Sequence, residues 1–258
     1  MPGDLFDLSG KVAFIPGGYG GIGAALAAGL AARGACVAIG GRDADKASGL
    51  AQELILAGHN ALGVALDARS TQQIQAAVGQ IIERFGKVDI LVNCVGTQIE
   101  EPVLEVTEEA FDSVYATNLK GAMFLGQAVA REQVKAGRGG RQVHVLSVRS
   151  KLAIRGRGYS AYTSTKAGLA ALVQQHAMEL APHGITVNGV APTFVETELV
   201  RPYLDDPVFR GQLEARIPLG RVGQPRDIVG PVVFFVSEAA NFVTGQVLYV
   251  DGGITASQ

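Results

Sequence analysis

Short apolar runs alternate with longer amphipathic stretches along the whole chain. The apolar runs are rich in β-branched residues and lie at 11–15, 36–40, 61–66, 88–93, 142–147, 185–190 and 246–250. Helical periodicity covers 21–33, 43–58, 71–86, 108–135, 160–182 and 225–238. This alternation predicts a parallel sheet covered on both faces, because parallel neighbours need a crossover connection.

The predicted fold class is α/β: a Rossmann-type, doubly wound sheet of seven parallel strands flanked by helices on both faces. The 258 residues contain no linker or repeat, so we expect a single domain over 1–258. Ligands of such sheets bind at the carboxyl ends of the strands, so the residues that follow each run are the functional candidates.

Composition excludes several classes of function. A formal net charge of -2 offers no basic footprint for nucleic acid. The start lacks the features of a signal peptide and no apolar run is long enough for a membrane span, so we expect a cytoplasmic protein. Cys36 and Cys94 lie in strand-like runs and are expected to be buried thiols. We predict no metal site.

A glycine-rich segment, PGGYGGIG (16–23), separates the first run from the first helix. Gly17, Gly21 and Gly23 let the backbone approach a pyrophosphate, and the helix N-terminus supplies free N–H groups and a favourable dipole. In this place between strand and helix, the pattern predicts dinucleotide binding.

From Lys11 to VDGG (250–253), the chain resembles the short-chain dehydrogenase/reductase family, whose glycine turn is usually TGx3GxG. Pro16 replaces the usual threonine, and we expect altered turn packing rather than a lost cofactor. The resemblance implies that Tyr19 and Ile22 of the turn contact the cofactor. Gly41 occupies the position at which members of the family that bind NAD(H) carry an acidic residue, and Arg42 follows it. An arginine here favours NADP(H) over NAD(H), because it can pair with the 2′-phosphate. If Arg42 instead stacks on adenine or faces solvent, NAD(H) is the alternative.

Two further segments are implied to bind the adenosine. Asp67, followed by Ala68, matches the aspartate that hydrogen-bonds the adenine amino group. NCVG (93–96) matches the family's NNAG, so Asn93 and Gly96 would shape the floor beside the ribose. For Asn93, a purely structural role that ties neighbouring strands is an equal alternative.

The stretch YSAYTSTK (159–166) carries the candidate proton donor. Tyr162 and Lys166 are four residues apart and share a helix face, where an ammonium would lower the pKa of the phenol. The family's Yx3K signature agrees with this pair. Tyr159 has the Yx6K spacing of divergent enoyl reductases, but those enzymes carry a different glycine turn, so we place Tyr159 at the rim of the pocket.

The resemblance adds an orienting serine and a helix asparagine. Ser147 ends the predicted fifth strand and is the preferred orienting serine. The family's usual interval between serine and tyrosine is two residues shorter and falls on Arg149. Ser150 is the alternative candidate for the same role. Asn118 matches the asparagine that holds a water linked to Lys166; a structural role at a helix irregularity is the alternative.

The segment after the sixth run is implied to line the nicotinamide through Pro192, Val195 and Thr197, with Thr193 in the place of a usual glycine. The region 194–221 is predicted to be a substrate lid.

The predicted function is hydride transfer between a nicotinamide cofactor and a small carbonyl or secondary alcohol, such as a 3-oxoacyl or sugar-acid substrate. A non-catalytic NAD(P)-binding regulator and a nucleotide-sugar epimerase are the alternatives. A cationic loop suggests an anionic substrate, with surface charge or a subunit contact as the alternative; its members are Arg149, Lys151, Arg155 and Arg157. The family commonly forms homotetramers, which we expect here.

Overall fold

The computed structural model describes residues 3–198 and 200–257. The strands are β1 Val12–Pro16, β2 Cys36–Gly41, β3 Ala61–Ala65, β4 Ile90–Asn93, β5 Gly140–Val145, β6 Ile185–Pro192 and β7 Val247–Val250. The α-helices are α1 Gly21–Ala31, α2 Ala44–Leu56, α3 Thr71–Phe85, α4 Glu108–Tyr115, α5 Gly121–Ala136, α6 Ser160–Leu180, α7 Arg201–Leu204, α8 Pro207–Arg216 and α9 Pro225–Val236. A π-helical segment, Ala116–Lys120, joins α4 to α5.

The strands form one sheet in the order β3-β2-β1-β4-β5-β6-β7, and every pairing is parallel. This arrangement confirms the predicted doubly wound fold. The chain moves outward from β1 to β3 and then crosses to the other side of β1 to begin β4. At this reversal the connections leave β1 and β4 in opposite directions, which opens a crevice at their carboxyl ends.

Successive side chains of β1 point to opposite faces of the sheet and so enter different halves of the core, as the pleat of a strand requires. On one face, Ile15 packs in a cluster with residues of α1 and α9 such as Leu26 and Ile228. On the other face, Phe14 packs with residues of α3 and α5 such as Ile74 and Leu125. Burial on both faces explains why these strands read as continuous apolar runs.

Several element boundaries differ from the sequence predictions. The helix predicted over 108–135 is divided by the π-helical segment, which periodicity does not reveal. The fourth strand begins at Ile90 rather than at 88. The fifth strand begins at Gly140 and ends at Val145, so Ser147 lies two residues beyond its end and precedes a 3-10 turn over Val148–Ser150.

None of the helices within 3–198 and 200–257 combines the length and apolar character needed to cross a membrane.

Candidate active site

The turn between β1 and α1 is closed by contacts that only glycine allows. Gly17 has a φ of 73°, and a Cβ on Gly23 would lie 2.2 Å from the carbonyl oxygen of Gly17. Gly20 provides no side-chain cap, so the first N–H groups of α1 are available to an anion. Pro16 stays part of the sheet: its carbonyl oxygen accepts from the amide of Cys94 at 2.9 Å, and the amide of Gly17 donates to the carbonyl oxygen of Gly40.

A cavity of about 410 Å³, the adenosine cavity, opens above this turn. Many of its lining residues are those implied to bind the cofactor; they are Gly17, Tyr19, Gly21, Ile22, Gly23, Arg42, Asp67, Ala68, Gly96 and Thr197. Their roles in cofactor binding stay predictions, but the structure brings them together around one space.

The end of β2 carries no acidic side chain, and the ring of Tyr19 occupies the space beside Gly41. A Cβ on Gly41 would lie 2.0 Å from the ring of Tyr19, whose hydroxyl accepts from the amide of Asp43 at 3.2 Å. The neighbouring Arg42 lines the adenosine cavity. The site therefore suits the 2′-phosphate of NADP(H), which Arg42 can bind. It lacks the carboxylate that would hydrogen-bond the ribose hydroxyls of NAD(H).

Sequence reasoning missed a second arginine in this cavity. Arg69 forms a bidentate ion pair with Asp67, the shortest N–O distance being 2.6 Å. This interaction lowers the pKa of Asp67, so the carboxylate stays ionised. The signal available in the sequence was a basic residue two positions after the predicted adenine ligand.

Asn93 does not line the adenosine cavity. Its side-chain amide is 1% exposed, with Nδ2 3.3 Å from Nδ1 of His144 and Oδ1 accepting from the amide of Val95 at 3.0 Å. These contacts tie β4 to β5 and shape the following turn. They support the structural alternative for this residue.

A second cavity of about 220 Å³, the reaction cavity, brings together three of the four predicted catalytic side chains; Asn118 does not line it. It is lined by Ser147, Tyr162 and Lys166. Both cavities share Ile22, Gly96 and Thr197 in their walls, so a ligand of one is adjacent to a ligand of the other.

Lys166 is held by the end of β5. Its Nζ donates to the carbonyl oxygen of Val145 at 2.9 Å and lies 5.6 Å from the centre of the Tyr162 ring. Burial lowers the pKa of Lys166 to about 8. The ammonium is therefore readily exchangeable near neutral pH.

The expected lowering of the phenol pKa is not what the structure shows. Burial raises the pKa of Tyr162, and a hydrogen bond with Ser147 opposes that change only in part. The physical reason is that the loss of hydration on burial outweighs the bond with Ser147 and the charge of Arg149, which both favour the phenolate. Tyr162 thus stays protonated at neutral pH, as a proton donor must be.

The structure separates the two candidate serines. Ser147 lines the reaction cavity, whereas Ser150 turns away, donating to the carbonyl oxygen of Ser147 at 2.8 Å and lying 3.1 Å from the hydroxyl of Tyr249. This placement favours Ser147 as the orienting residue. Arg149, at the family's usual interval, also lines the cavity.

Asn118 lies in the π-helical segment and its side chain is fully engaged. Its Oδ1 accepts from the amide of Thr97 at 2.7 Å, and its Nδ2 donates to the carbonyl oxygen of Thr97 and to the hydroxyl of Thr165. These bonds fasten the loop after β4 to α6. They assign the side chain a positioning role, and the predicted water relay stays a prediction.

Tyr159 occupies the rim of the reaction cavity, at the start of α6. Its ring meets that of Tyr162 edge-on, with centroids 6.0 Å apart. A hydrogen bond with Gln98 lowers the pKa of Tyr159, but burial raises it by more. The ammonium of Lys166 lies 5.6 Å from the centre of the Tyr162 ring, which favours Tyr162 as the proton donor.

The segment after β6 closes the other wall of the reaction cavity with Pro192, Thr193 and Val195. The amide of Glu196 and the carbonyl of Phe194 pair with Gly223, which leaves the main-chain groups of Val195 without a backbone partner among the described residues. They are available to an amide ligand, as predicted for the nicotinamide. The hydroxyl of Thr193 is buried and without a partner in the same part of the chain.

The predicted lid, 194–221, contains α7 and α8; Leu199 within it lies outside the described residues. Arg157, in the loop before α6, holds these helices at the cavity mouth. Its guanidinium lies 5.0 Å from the ring centre of Tyr203 and 5.3 Å from that of Phe209, and it pairs with Glu100 at 3.2 Å. Opening of this segment stays a prediction.

A Rossmann-type sheet with a phosphate-binding turn and an adjacent tyrosine–lysine–serine group defines a nicotinamide-dependent oxidoreductase. The chain belongs to the short-chain dehydrogenase/reductase family. A family model described as enoyl-(acyl carrier protein) reductase matches residues 18–255.

Its similarity to individual proteins extends over nearly the full length. Gluconate 5-dehydrogenase of Gluconobacter oxydans is 39% identical over 254 residues, which cover 98% of each chain. L-Rhamnose 1-dehydrogenase (NAD(P)+) of a Sphingomonas species is 39% identical over 248 residues, covering 96% of this chain and 97% of the relative. A gluconate 5-dehydrogenase from Burkholderia cenocepacia, solved in complex with NADP and tartrate, has a TM-score of 0.95 and 37% identity over 99% of both chains.

These relatives are named dehydrogenases, which confirms the predicted reaction class. The alternative of a non-catalytic cofactor-binding regulator is not favoured. The protein is an oxidoreductase that transfers a hydride between a nicotinamide cofactor and a carbonyl or secondary alcohol.

Replacing Arg42 tests the choice between the two cofactors. Arg42→Ala should raise the Kd for NADPH about 10- to 100-fold, because charge-assisted hydrogen bonds to the 2′-phosphate are lost. The Kd for NADH should stay unchanged. Titration of cofactor fluorescence measures both constants, and Lys46→Ala, on α2 outside the cavity, is the control. Equal weakening of both cofactors would instead support stacking of Arg42 on adenine.

The pKa of Lys166 sets an upper pH limit for reduction. The ammonium is present below its pKa of about 8 and is lost above it, while Tyr162, with a raised pKa, keeps its proton. We expect kcat/KM for carbonyl reduction to fall as the pH rises through about 8, measured by initial rates at saturating NADPH. Alcohol oxidation needs the phenolate, so its rate should rise with pH. A reduction profile that stays flat above this pH would contradict the assignment.

Proposed function

We propose that this protein is an NADP(H)-dependent dehydrogenase/reductase of a small polyhydroxylated substrate, a sugar or a sugar acid. The observation that carries the proposal is the reaction cavity, whose volume of about 220 Å³ lies below the roughly 300–1,000 Å³ typical of sites for drug-sized ligands. Hydroxyl groups and an arginine in its wall can bind the hydroxyl and carboxylate groups of such a molecule.

The relatives support the same substrate class. Two of them are named for gluconate and L-rhamnose, and the solved gluconate dehydrogenase holds NADP and tartrate, a hydroxylated dicarboxylate. Support for NADP(H) also comes from Arg42 in the cavity wall and from the absence of an acidic side chain at Gly41.

Each catalytic side chain has a role that follows from its surroundings. When bound, NADP(H) supplies or accepts the hydride at the reacting carbon. Ser147 donates a hydrogen bond to the carbonyl oxygen, and Tyr162 gives it a proton as negative charge develops there. Lys166 stabilises the resulting phenolate through its nearby ammonium, and Val145 fixes the direction of that group.

The two tyrosines should respond differently to loss of the hydroxyl. Tyr162→Phe should lower kcat for reduction by about 10²- to 10⁴-fold, the contribution of a positioned general acid. Tyr159→Phe is the matched control and should keep the parent kcat. Initial rates with NADPH and a panel of keto sugars and keto sugar acids measure both. Full activity in Tyr162→Phe would refute the mechanism.

We also propose that the protein assembles as a homotetramer. A largely apolar groove of about 800 Å³ runs between the π-helical region and α6, lined by Tyr115, Leu119, Met123 and Leu172. Near β7, Phe242 is fully exposed, which is unusual for so large an apolar side chain. The predicted cytoplasmic location and lack of a nucleic-acid partner stay predictions.

Light scattering after size exclusion should give four times the chain mass of 26.8 kDa. Leu172→Glu, which places a charge in the groove, should shift the protein to smaller species, whereas Leu56→Glu, an exposed position on α2, should not. A monomer mass for the parent protein would overturn the assembly proposal.

A further inference from the structure

The reaction cavity contains a buried arginine that the catalytic mechanism does not use. Arg149 is 5% exposed and lines the cavity beside Ser147 and Tyr162. A buried guanidinium is costly unless its donors and its charge are both satisfied. A stable position for Arg149 therefore needs acceptors for its N–H groups and a negative charge close to its guanidinium.

Only one end of the guanidinium is bonded to protein. Its Nη1 donates to the carbonyl oxygens of Leu152 and Ala153, at 3.2 and 2.9 Å. No acceptor within residues 3–198 and 200–257 takes the protons of Nε or Nη2. The guanidinium has five N–H donors, so the edge carrying Nε and Nη2 can bind a planar anion through two parallel hydrogen bonds.

No carboxylate within residues 3–198 and 200–257 pairs with Arg149. Among the described residues, the lining of the cavity includes two cations, Arg149 and Lys166, and no carboxylate. Tyr159 and Tyr162 face the guanidinium but are neutral at physiological pH, since burial raises the pKa of each phenol. Arg216, at the end of α8, adds a further positive charge and contributes to lowering the pKa of Arg149.

The other cations of this loop are placed differently. Lys151 lies over the ring of Tyr249 at 5.4 Å, and Arg157 is paired with Glu100 and packed against the lid. Arg155 is exposed to solvent and lines neither cavity. Of the four loop cations, Arg149 is the one that reaches the reacting groups.

We propose that Arg149 binds the carboxylate of the substrate and thereby selects sugar acids over neutral sugars. The inference rests on the proposed function, since it assigns the substrate class of the same cavity. Ser147 and Tyr162 bind the oxygen that reacts, and Arg149 fixes the other end of the molecule through a bidentate ion pair. The amide of Arg149 donates to Oγ of Ser147 at 3.2 Å, so the two recognition groups are held in a fixed relation.

Arg149→Gln tests the proposal because it removes the charge and keeps a polar side chain. With NADPH saturating, the KM for a six-carbon keto-aldonate should rise roughly 10- to 150-fold, as expected for loss of a charged hydrogen-bonded pair. The KM for the neutral ketohexose of the same length should not rise. Arg155→Gln, with the same charge change in the same loop, should match the parent on both substrates.

A purely structural role gives a different result. If Arg149 only fastened the 152–153 loop, Arg149→Gln would lower kcat or stability for acidic and neutral substrates alike, and the proposal would be wrong. Unchanged kinetics on both substrates would also overturn it. If the variant does not fold, Arg149→Lys, which keeps the charge but loses the fork, should give an intermediate KM for the keto-aldonate.

Binding of tartrate separates this inference from the proposed function. Calorimetry with the NADP-loaded protein should show tartrate binding that weakens in Arg149→Gln by a similar factor and weakens with added salt. If the parent reduces no sugar acid, the proposed function fails, but loss of tartrate binding in the variant would still support an anion site. Tartrate binding that is equal in the parent and in Arg149→Gln would refute the role of Arg149 in binding the carboxylate.

Discussion

A buried ammonium must be hydrogen-bonded, and that constraint organises the reacting end of this molecule. Lys166 is 3% exposed and donates to the carbonyl oxygen of Val145, the last residue of β5. The bond requires α6 to lie against the sheet at one position, and Leu169 and Val173 on the same helix pack there. Tyr162, one turn before Lys166, is then fixed over the carboxyl ends of the central strands.

The reversal of strand order supplies the second part of the site. Because β1 and β4 send their connections in opposite directions, the adenosine and reaction cavities meet above them. Asn118 fastens the loop after β4 to α6 through Thr97 and Thr165. The glycine turn, the catalytic helix and the cofactor-facing loops thus depend on one another for their positions.

Much of this arrangement could be predicted from the sequence. The seven apolar runs identify the strands because a parallel sheet buries both faces, and the glycine turn is recognisable between β1 and α1. Tyr162 and Lys166 are recognisable because helical spacing is local. The π-helical segment at Asn118 was expected only as the alternative for that residue, a helix irregularity, because the periodicity over 108–135 does not mark where the hydrogen-bond pattern of the helix changes.

Other features depend on contacts between segments distant in the chain. The raised pKa of Tyr162 follows first from the burial of its phenol, which the spacing of residues in the sequence does not reveal. Asn93 faces His144 on a neighbouring strand rather than the adenosine cavity. Arg149 lies in a charged loop that looks solvent-exposed in sequence, and only the 3-10 turn after Ser147 carries it into the cavity.

The central claim is that the two cavities join a nicotinamide cofactor to a carbonyl substrate for hydride transfer. NADPH carrying deuterium in the transferable position at C4 tests it directly, with a keto sugar acid as substrate and mass spectrometry of the product. The account predicts that the alcohol product contains one deuterium on the former carbonyl carbon. The claim is contradicted if the product lacks deuterium both with NADPH deuterated on one face of C4 and with NADPH deuterated on the other face.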